Sequence, residues 1–188
     1  MLRGDLIIEV QTAGFAAIAK KLRDLVQRHR LRLVHPVARE RWIVKLAEDG
    51  TSHASRRKSP KRMGPEGVFE ELVSFPELLA HENFELEIVV TREEELRRFD
   101  PKRGWRRGHW VVVERRLLEV VDRCLLQRPA DLLELVPAGL PERFQTSDLA
   151  KVFRRPRGFA QKAAYCLKHC GLIAPAGKDG NAIIYTLA

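Results

Sequence analysis

The chain's first regular pattern lies in residues 5–37, which read DLIIEVQTAGFAAIAKKLRDLVQRHRLRLVHPV. Residues 5–11 alternate between apolar and polar side chains, as a strand does. Residues 15–29 carry apolar side chains at helical spacing with lysine and arginine on the outer side, and residues 31–37 have strand character again. Two strands joined by a helix predict a parallel βαβ unit, so we expect an α/β fold with a mixed sheet.

The first strand places two carboxylates and an amide on one face. Asp5, Glu9 and Gln11 point the same way, because successive side chains of a strand alternate between its faces. A carboxylate inside a sheet is costly unless it is paired or holds a cation, and hard cations such as Mg²⁺ prefer oxygen ligands. Asp5 and Glu9 are therefore candidate metal ligands, and acids at an ordinary sheet edge are the alternative.

The order of a strand with Glu-X-Gln, a helix with a basic outer face and a second strand resembles the restriction endonuclease-like, or PD-(D/E)XK, nuclease superfamily. The active-site strand of that superfamily carries (D/E)-X-K, and Gln11 stands here where lysine is usual. The resemblance covers residues 4–38. It implies a catalytic site in which Asp5 and Glu9 bind Mg²⁺ or Mn²⁺ and Gln11 orients the attacking water.

The resemblance is incomplete at its N-terminal side. In that superfamily the first acidic residue usually comes from a preceding strand, whereas this chain starts four residues before Asp5. Either Asp5 substitutes from the same strand, or the missing part belongs to a longer protein, or the fold is a degenerate relative that binds without cutting.

Residues 143–188 predict a winged helix-turn-helix domain. A helical stretch within residues 144–153, with Thr146 or Ser147 as its N-cap, is followed by a basic turn, a helix over 159–170 that stops at Gly171, and a glycine-tipped hairpin. Helical spacing predicts a buried stripe on the second helix, formed by Ala160, Ala163, Ala164 and Leu167.

The opposite face of that second helix carries side chains that suit nucleic acid. Arg157, Gln161, Tyr165 and Lys168 share one outward face, and Lys178 lies near the tip of the hairpin. Cations and amides of this kind contact phosphates and base edges, so we expect double-stranded DNA as the partner. Docking of another protein is the alternative, since winged helices also serve that role.

Charge and composition narrow the classes further. The chain has a net charge of +9, with local net charges of +9 over residues 1–63, −8 over 64–100, +2 over 101–142 and +6 over 143–188. A basic loop over 55–62, with Arg56, Arg57 and Lys58, is a second candidate for phosphate contacts, and a solvated loop is its alternative. The acidic middle is expected to be a solvated face. Three cysteines and the lack of a long apolar run predict a cytoplasmic protein without membrane contact.

The remaining segments predict the domain organisation. We expect strands over 41–46 and 84–90, a short helical stretch over 93–98 and helical segments over 111–125 and 132–135. This gives an endonuclease-like α/β domain over residues 1–100, a basic connector over 101–110 and the winged helix domain over 111–188.

The function expected from these features is DNA binding, by a metal-dependent nuclease or a degenerate relative of one. The alternative is a non-catalytic winged-helix DNA-binding regulator whose N-terminal domain serves dimerisation, which would make a homodimer, or binds another partner.

Overall fold

The structure, a computed structural model, describes residues 1–50 and 52–188. It is an α/β fold with a mixed sheet, as predicted. The helices are α1 (Phe15–Leu25), α2 (Phe69–Leu72), α3 (Thr146–Phe153) and α4 (Arg157–His169). The strands are β1 (Leu2–Arg3), β2 (Leu6–Val10), β3 (Arg30–Leu46), β4 (His53–Lys58), β5 (Phe84–Phe99), β6 (Trp110–Leu126), β7 (Ile173–Asp179) and β8 (Ala182–Leu187).

The predicted βαβ unit is confirmed. β2 pairs with β3 in parallel, from Leu6 opposite Arg30 to Val10 opposite Val34, and α1 connects them. The larger sheet has the order β1-β2-β3-β5-β6, with β4 also paired to β3, and β7 and β8 form a separate hairpin. β1 and β4 run antiparallel to their neighbours, which makes the sheet mixed.

β3 is one continuous strand, whereas the sequence predicted two strands with a break after residue 37. Pro36 lies inside it, where a residue without a backbone N–H is usually excluded. β2 ends opposite Val34, and β4 ends with Lys58 opposite Trp42, so Pro36 lies in the gap between these two neighbours. The sheet therefore accommodates the proline without losing a hydrogen bond to either of them.

Two predicted helical segments, 93–98 and 111–125, are wrong, because both belong to long strands. Residues 93–98 are the end of β5, and residues 111–125 lie within β6. β6 is the last strand of the sheet order and is exposed along most of its length. A strand without a buried face need not alternate apolar and polar side chains. The doublets Leu117-Leu118 and Val120-Val121 therefore have the spacing expected of a helix.

The chain is organised as two compact units. Unit 1 contains residues 1–35, 65–88 and 124–188, and unit 2 contains residues 36–64 and 89–123. The connector predicted at 101–110 therefore falls inside unit 2, between the paired strands β5 and β6. Among the described residues, none of the helices is long and apolar enough to cross a membrane.

The acidic middle of the chain is in large part a set of ion pairs within the sheet. Glu85 and Glu95 of β5 are only 8% and 2% exposed, so the predicted solvated face is wrong for these two residues. In unit 1, Glu85 lies 2.7 Å from Arg32 on β3. In unit 2, Glu95 lies 2.6 Å from Arg97 and 3.2 Å from Arg115 on β6.

The environment of Glu95 favours its charged form. Burial would raise the pKa of this carboxyl group, but the hydrogen bond from Arg97 and the charges of Arg97, Arg41 and Arg115 outweigh burial and lower the pKa. The ion pairs therefore hold a buried carboxylate where a neutral or apolar side chain would be the ordinary choice.

Replacing Glu95 by glutamine should destabilise the protein by on the order of 3 kcal/mol, because the guanidinium groups around it lose their common counter-charge. Urea denaturation measures the change. Glu114→Gln is the matched control, since Glu114 is paired with Arg116 at an exposed position, and it should leave the midpoint nearly unchanged. Equal midpoints for wild type and Glu95→Gln would contradict this role.

His35 is the buried titratable side chain of unit 1 that should give pH-dependent stability. Its Nδ1–H donates to the carbonyl oxygen of Gln11 at 2.8 Å, and its ring packs edge-on against Phe15. Burial lowers the pKa of His35 from its ordinary 6.5, although that hydrogen bond and the charge of Glu71 act in the opposite direction. Because the folded pKa lies below the unfolded one, the unfolded state gains a proton first as the pH falls.

Stability should therefore be complete above about pH 6.5 and decrease below it. We expect the loss of unfolding free energy between pH 7.5 and pH 5.5 to be smaller in His35→Gln, which keeps a donor but does not titrate. Urea melts at both pH values test this. Identical losses in the two proteins would show that another group titrates.

Candidate nucleic-acid interface

The start and end of α3 are set by local backbone interactions. The Asp148 carboxylate accepts a hydrogen bond from the backbone N–H of Gln145 at 3.0 Å, and this bond is the main cause of its lowered pKa. Gln145 is therefore the N-cap, one residue before the predicted Thr146 or Ser147. Arg154 ends the helix with a φ of 51°, and Pro156 precedes α4. The turn between the two helices is thus only three residues long.

Three phenylalanine rings hold α3 and α4 together. The Phe153 ring lies 5.2 Å from that of Phe159, and Phe69 of α2 lies 5.9 Å from the former and 6.3 Å from the latter. All three rings meet edge to face, the arrangement that aromatic pairs favour. We call Phe69, Phe153 and Phe159 the aromatic cluster.

The predicted buried stripe of α4 is confirmed. Ala160, Ala163, Ala164 and Leu167 are all at most 3% exposed. On the side towards α2, the Nζ atom of Lys162 lies 2.5 Å from a carboxylate oxygen of Glu70. The orientation of α4 about its own axis is therefore fixed by packing on one side and by an ion pair on another.

The hairpin of β7 and β8 is attached to the start of α3. Phe144 exchanges two backbone hydrogen bonds with Tyr185 of β8, at 2.9 and 2.7 Å. The Gln145 side-chain amide donates to Asp179 at 3.1 Å, and Arg143 donates to the carbonyl of Ala176 at 2.9 Å. These bonds fix the hairpin next to the N-terminal end of α3.

The face of α4 that the sequence predicted to be outward is exposed. We call Arg157, Gln161, Tyr165 and Lys168 the α4 face, and all four side chains are solvent-exposed. The Tyr165 ring, 45% exposed, stacks on His169 at 4.1 Å. Within residues 1–50 and 52–188, neither Arg157 nor Lys168 has an ion-pair partner. The structure therefore brings these four predicted residues together as an unneutralised polar surface.

An open cleft runs between the α4 face and the hairpin. All four residues of the α4 face line it, together with Asn181, Ile183 and Tyr185 of the hairpin and Thr146 at the start of α3. Lys178 is exposed on β7 but is not among the residues that line the cleft. The cleft has a cationic and amide wall on α4 and a mixed wall on the hairpin.

The sequence interpretation missed Asn181, His169 and Thr146 as residues of this surface. Asn181 sits in the hairpin turn beside Gly180, whose φ of 57° marks the tight turn. In the sequence, the Gly-Asn pair predicts the turn, but it does not predict that Asn181 lines this surface. The pairing of Phe144 with Tyr185, which no local sequence pattern predicts, shows that the hairpin lies against the N-terminal end of α3.

The basic loop predicted over 55–62 is wrong over residues 55–58, which belong to the exposed strand β4 in unit 2. Arg56 pairs with Glu94 at 2.7 Å, and Lys58 pairs with Glu40 at 2.5 Å. Both cations also lie about 5 Å from the centre of the Trp42 ring, at 5.0 and 5.1 Å. Arg56 and Lys58 are thus engaged within unit 2, and Arg57 is exposed on the same strand.

The three residues predicted as a catalytic site do not converge. Glu9 is paired with Lys21 at 2.9 Å, and Asp5 lies 3.6 Å from Arg30. The Gln11 amide donates to the carbonyl of Ala13. Asp5 lies in the turn that precedes β2 and Glu9 near the end of β2, so roughly 10 Å of strand separates them, which is too far for one small cation to bind both. No group of three or more acidic, histidine or cysteine side chains suited to a metal occurs in the described ranges.

Comparison with known proteins shows the family but no solved relative. Over 182 residues the chain is 32% identical to an "Uncharacterized protein" of Treponema pallidum (strain Nichols). The match covers 95% of this chain and 70% of that protein. No solved structure matches the chain. A family model described as a domain of unknown function matches residues 1–127, from the N-terminus to the residue after β6. The chain therefore belongs to the DUF8091 family.

Proposed function

We propose that this protein binds double-stranded DNA through the α4 face, as a winged helix-turn-helix. The observation that carries the proposal is the unneutralised α4 face along an open cleft, with Arg157 at one end of the helix and Lys168 at the other. A helix inserted in the major groove contacts phosphates with cations and base edges with amides. The α4 face supplies both kinds of side chain on one helix.

The arrangement around α4 supports this reading. α3 and α4 follow each other after a short turn, β7 and β8 form the wing, and the strand residue Phe144 before α3 pairs with β8. The short helical segment Pro129–Leu135 precedes them in the chain, as the first helix of a winged helix-turn-helix would. Lys178 on β7 would contact the phosphate backbone beside the groove.

The charge distribution favours nucleic acid over a protein partner for this surface. Residues 143–188 carry a net charge of +6. Lys162 of α4 is paired with Glu70 and Arg155 of the preceding turn with Glu66, whereas Arg154 of that turn is exposed. The charge left unpaired on α4 is thus on the cleft side. A polyanion is the partner that such a surface attracts most strongly.

Nuclease activity stays a prediction from the sequence and is not part of this proposal. Lys21 already neutralises Glu9, and Asp5 lies too far from Glu9 for one cation to contact both carboxylates. A cation would therefore find at most one of these two ligands. We expect the thermal midpoint to be the same with and without millimolar Mn²⁺. A rise that disappears in Glu9→Gln would contradict this expectation and restore the metal site.

Lys168→Ala should weaken binding to all DNA sequences and reduce the salt slope by about one unit, because a single phosphate contact is lost. If Arg157, Lys168 and Lys178 each contact a phosphate, the wild-type slope of log K against log salt should be about −3. Fluorescence anisotropy with labelled duplexes at several salt concentrations measures both quantities.

Lys162→Ala is the matched control for that experiment. It removes the same charge from the same helix, but from the side that faces Glu70. We expect its salt slope to equal that of the wild type. Equal losses in Lys162→Ala and Lys168→Ala would show a nonspecific charge effect, and no binding to any duplex would contradict the proposal.

Gln161→Ala should act differently, because an amide reads a base edge and does not neutralise a phosphate. We expect the salt slope to stay unchanged while the preference at one base position weakens by about 1–3 kcal/mol. Selection from a random duplex library with both proteins measures this preference. An unchanged selected motif would exclude Gln161 from base contacts.

A further inference from the structure

The edge strand β6 is the feature of unit 2 that the proposed function does not use. It has 17 residues and stands last in the sheet order, with β5 as its one strand neighbour among the residues that the structure describes. All eight residues from 113 to 120 are exposed. Half of the backbone N–H and C=O groups of such a strand face away from the sheet and can pair with a further strand.

This exposed run also carries large apolar side chains. Leu117 and Leu118 are 63% and 48% exposed, and Val113 and Val120 are exposed as well. Proteins usually protect a free edge by keeping it short or by placing proline, bulges or charges on it. β6 is long and has no proline, so its protection depends on Glu114, Arg115, Arg116 and Glu119.

We propose that β6 pairs with β6 of a second copy of this chain, antiparallel and across a two-fold axis, so that the two sheets become one. The charges on the exposed run select both the partner and the register. This proposal is independent of DNA binding, because it concerns residues of unit 2 only.

Symmetry restricts the possible registers. In an antiparallel pair, two residues directly opposite each other point to the same face of the sheet. A two-fold axis that relates two edge strands in one sheet runs perpendicular to it and leaves each residue on its own face. The axis must therefore pass beside one residue, which lies opposite its own copy. The identity of this residue defines the register of the strand pair.

Only one residue in the middle of the run avoids opposing like charges and gains opposite ones. With Leu117 on the axis, Leu117 lies opposite its own copy, Arg115 lies opposite Glu119 of the second copy, and Val113 lies opposite Val121. Each contact occurs twice except the central one. Opposite charges and apolar pairs directly across a sheet stabilise it, whereas like charges destabilise it.

The neighbouring registers are all worse. An axis at Arg116 places two arginines opposite each other, and an axis at Glu119 does the same with two glutamates. An axis at Leu118 places Glu114 opposite Asp122 in both halves of the interface. Within the exposed run, Leu117 is therefore the axis residue that both avoids like-charge pairs and gains opposite-charge pairs.

Arg115 and Glu119 retain capacity for these new contacts. Arg115 donates to Glu95 at 3.2 Å and Glu119 accepts from Arg92 at 2.6 Å, yet their side chains are 45% and 53% exposed. A guanidinium has five N–H donors and a carboxylate accepts about four hydrogen bonds. The contacts within the chain thus orient both groups without saturating them.

Cysteine cross-linking tests the register directly. In a chain carrying Cys124→Ser, Leu117→Cys should form a disulfide-linked dimer under mild oxidation, since the Cα atoms of opposite residues lie about 4.5–5.5 Å apart, within the range that a disulfide spans. Leu118→Cys is the matched control. In this register residue 118 lies opposite residue 116 of the second copy, so the two cysteines are two residues out of line, about 7 Å along the strands. This variant should stay a single chain on a non-reducing gel. Cross-linking of Leu118→Cys, or of neither variant, would overturn the proposal.

The mass in solution tests the interface itself. Light scattering of the unmodified chain should give twice the chain mass, and Leu117→Lys should give the mass of one chain, because two lysines would face each other. Leu133→Lys changes an exposed leucine outside β6 and should remain a dimer. A single-chain mass for the wild type would overturn the proposal and would indicate that β6 pairs with a strand of another protein. A dimer that persists in Leu117→Lys would overturn it as well.

Discussion

The aromatic cluster is the interaction on which the candidate interface depends. Phe153 closes α3, Phe159 opens α4, and Phe69 contacts both from α2, so the short turn between the helices has one geometry. Alanines at 160, 163 and 164 then allow close packing of α4 on that side. Because this side is buried, Gln161 and Lys168 lie on the exposed side of α4, where both line the cleft.

Charge pairing separates structural cations from those available for binding. Arg32, Arg41, Arg97 and Arg115 contact carboxylates of β5 within the sheet, and Lys162 contacts Glu70. These cations contribute to the high pI without offering a binding surface. Arg157 and Lys168 have no such partner in the described part of the chain, which is why the proposal places nucleic acid there and not along the basic strand β4.

Local periodicity predicted the elements whose partners are close in sequence. The βαβ unit, the stripe at Ala160, Ala163 and Leu167 and the closing hairpin follow from patterns within a few residues. The errors concern long-range pairing. Glu95 looked solvated because its partners Arg41 and Arg115 lie 54 positions earlier and 20 positions later, on other strands. β3 looked like two strands because β2 and β4 were not visible as separate neighbours. Alternation likewise predicted that Asp5 and Glu9 share one face of a strand. It carries no information on Lys21 and Arg30, which contact Glu9 and Asp5, and Asp5 lies in the turn before β2.

The most direct test of the central claim is a map of where DNA touches the chain. Backbone amide NMR shifts of the full chain, recorded while a duplex is added, should change mainly over residues 157–169 and 178–183, and these changes should diminish at high salt. Shifts confined to other segments, or no shifts at a duplex concentration that saturates winged-helix DNA-binding proteins, would contradict the proposal that α4 is the DNA-binding helix.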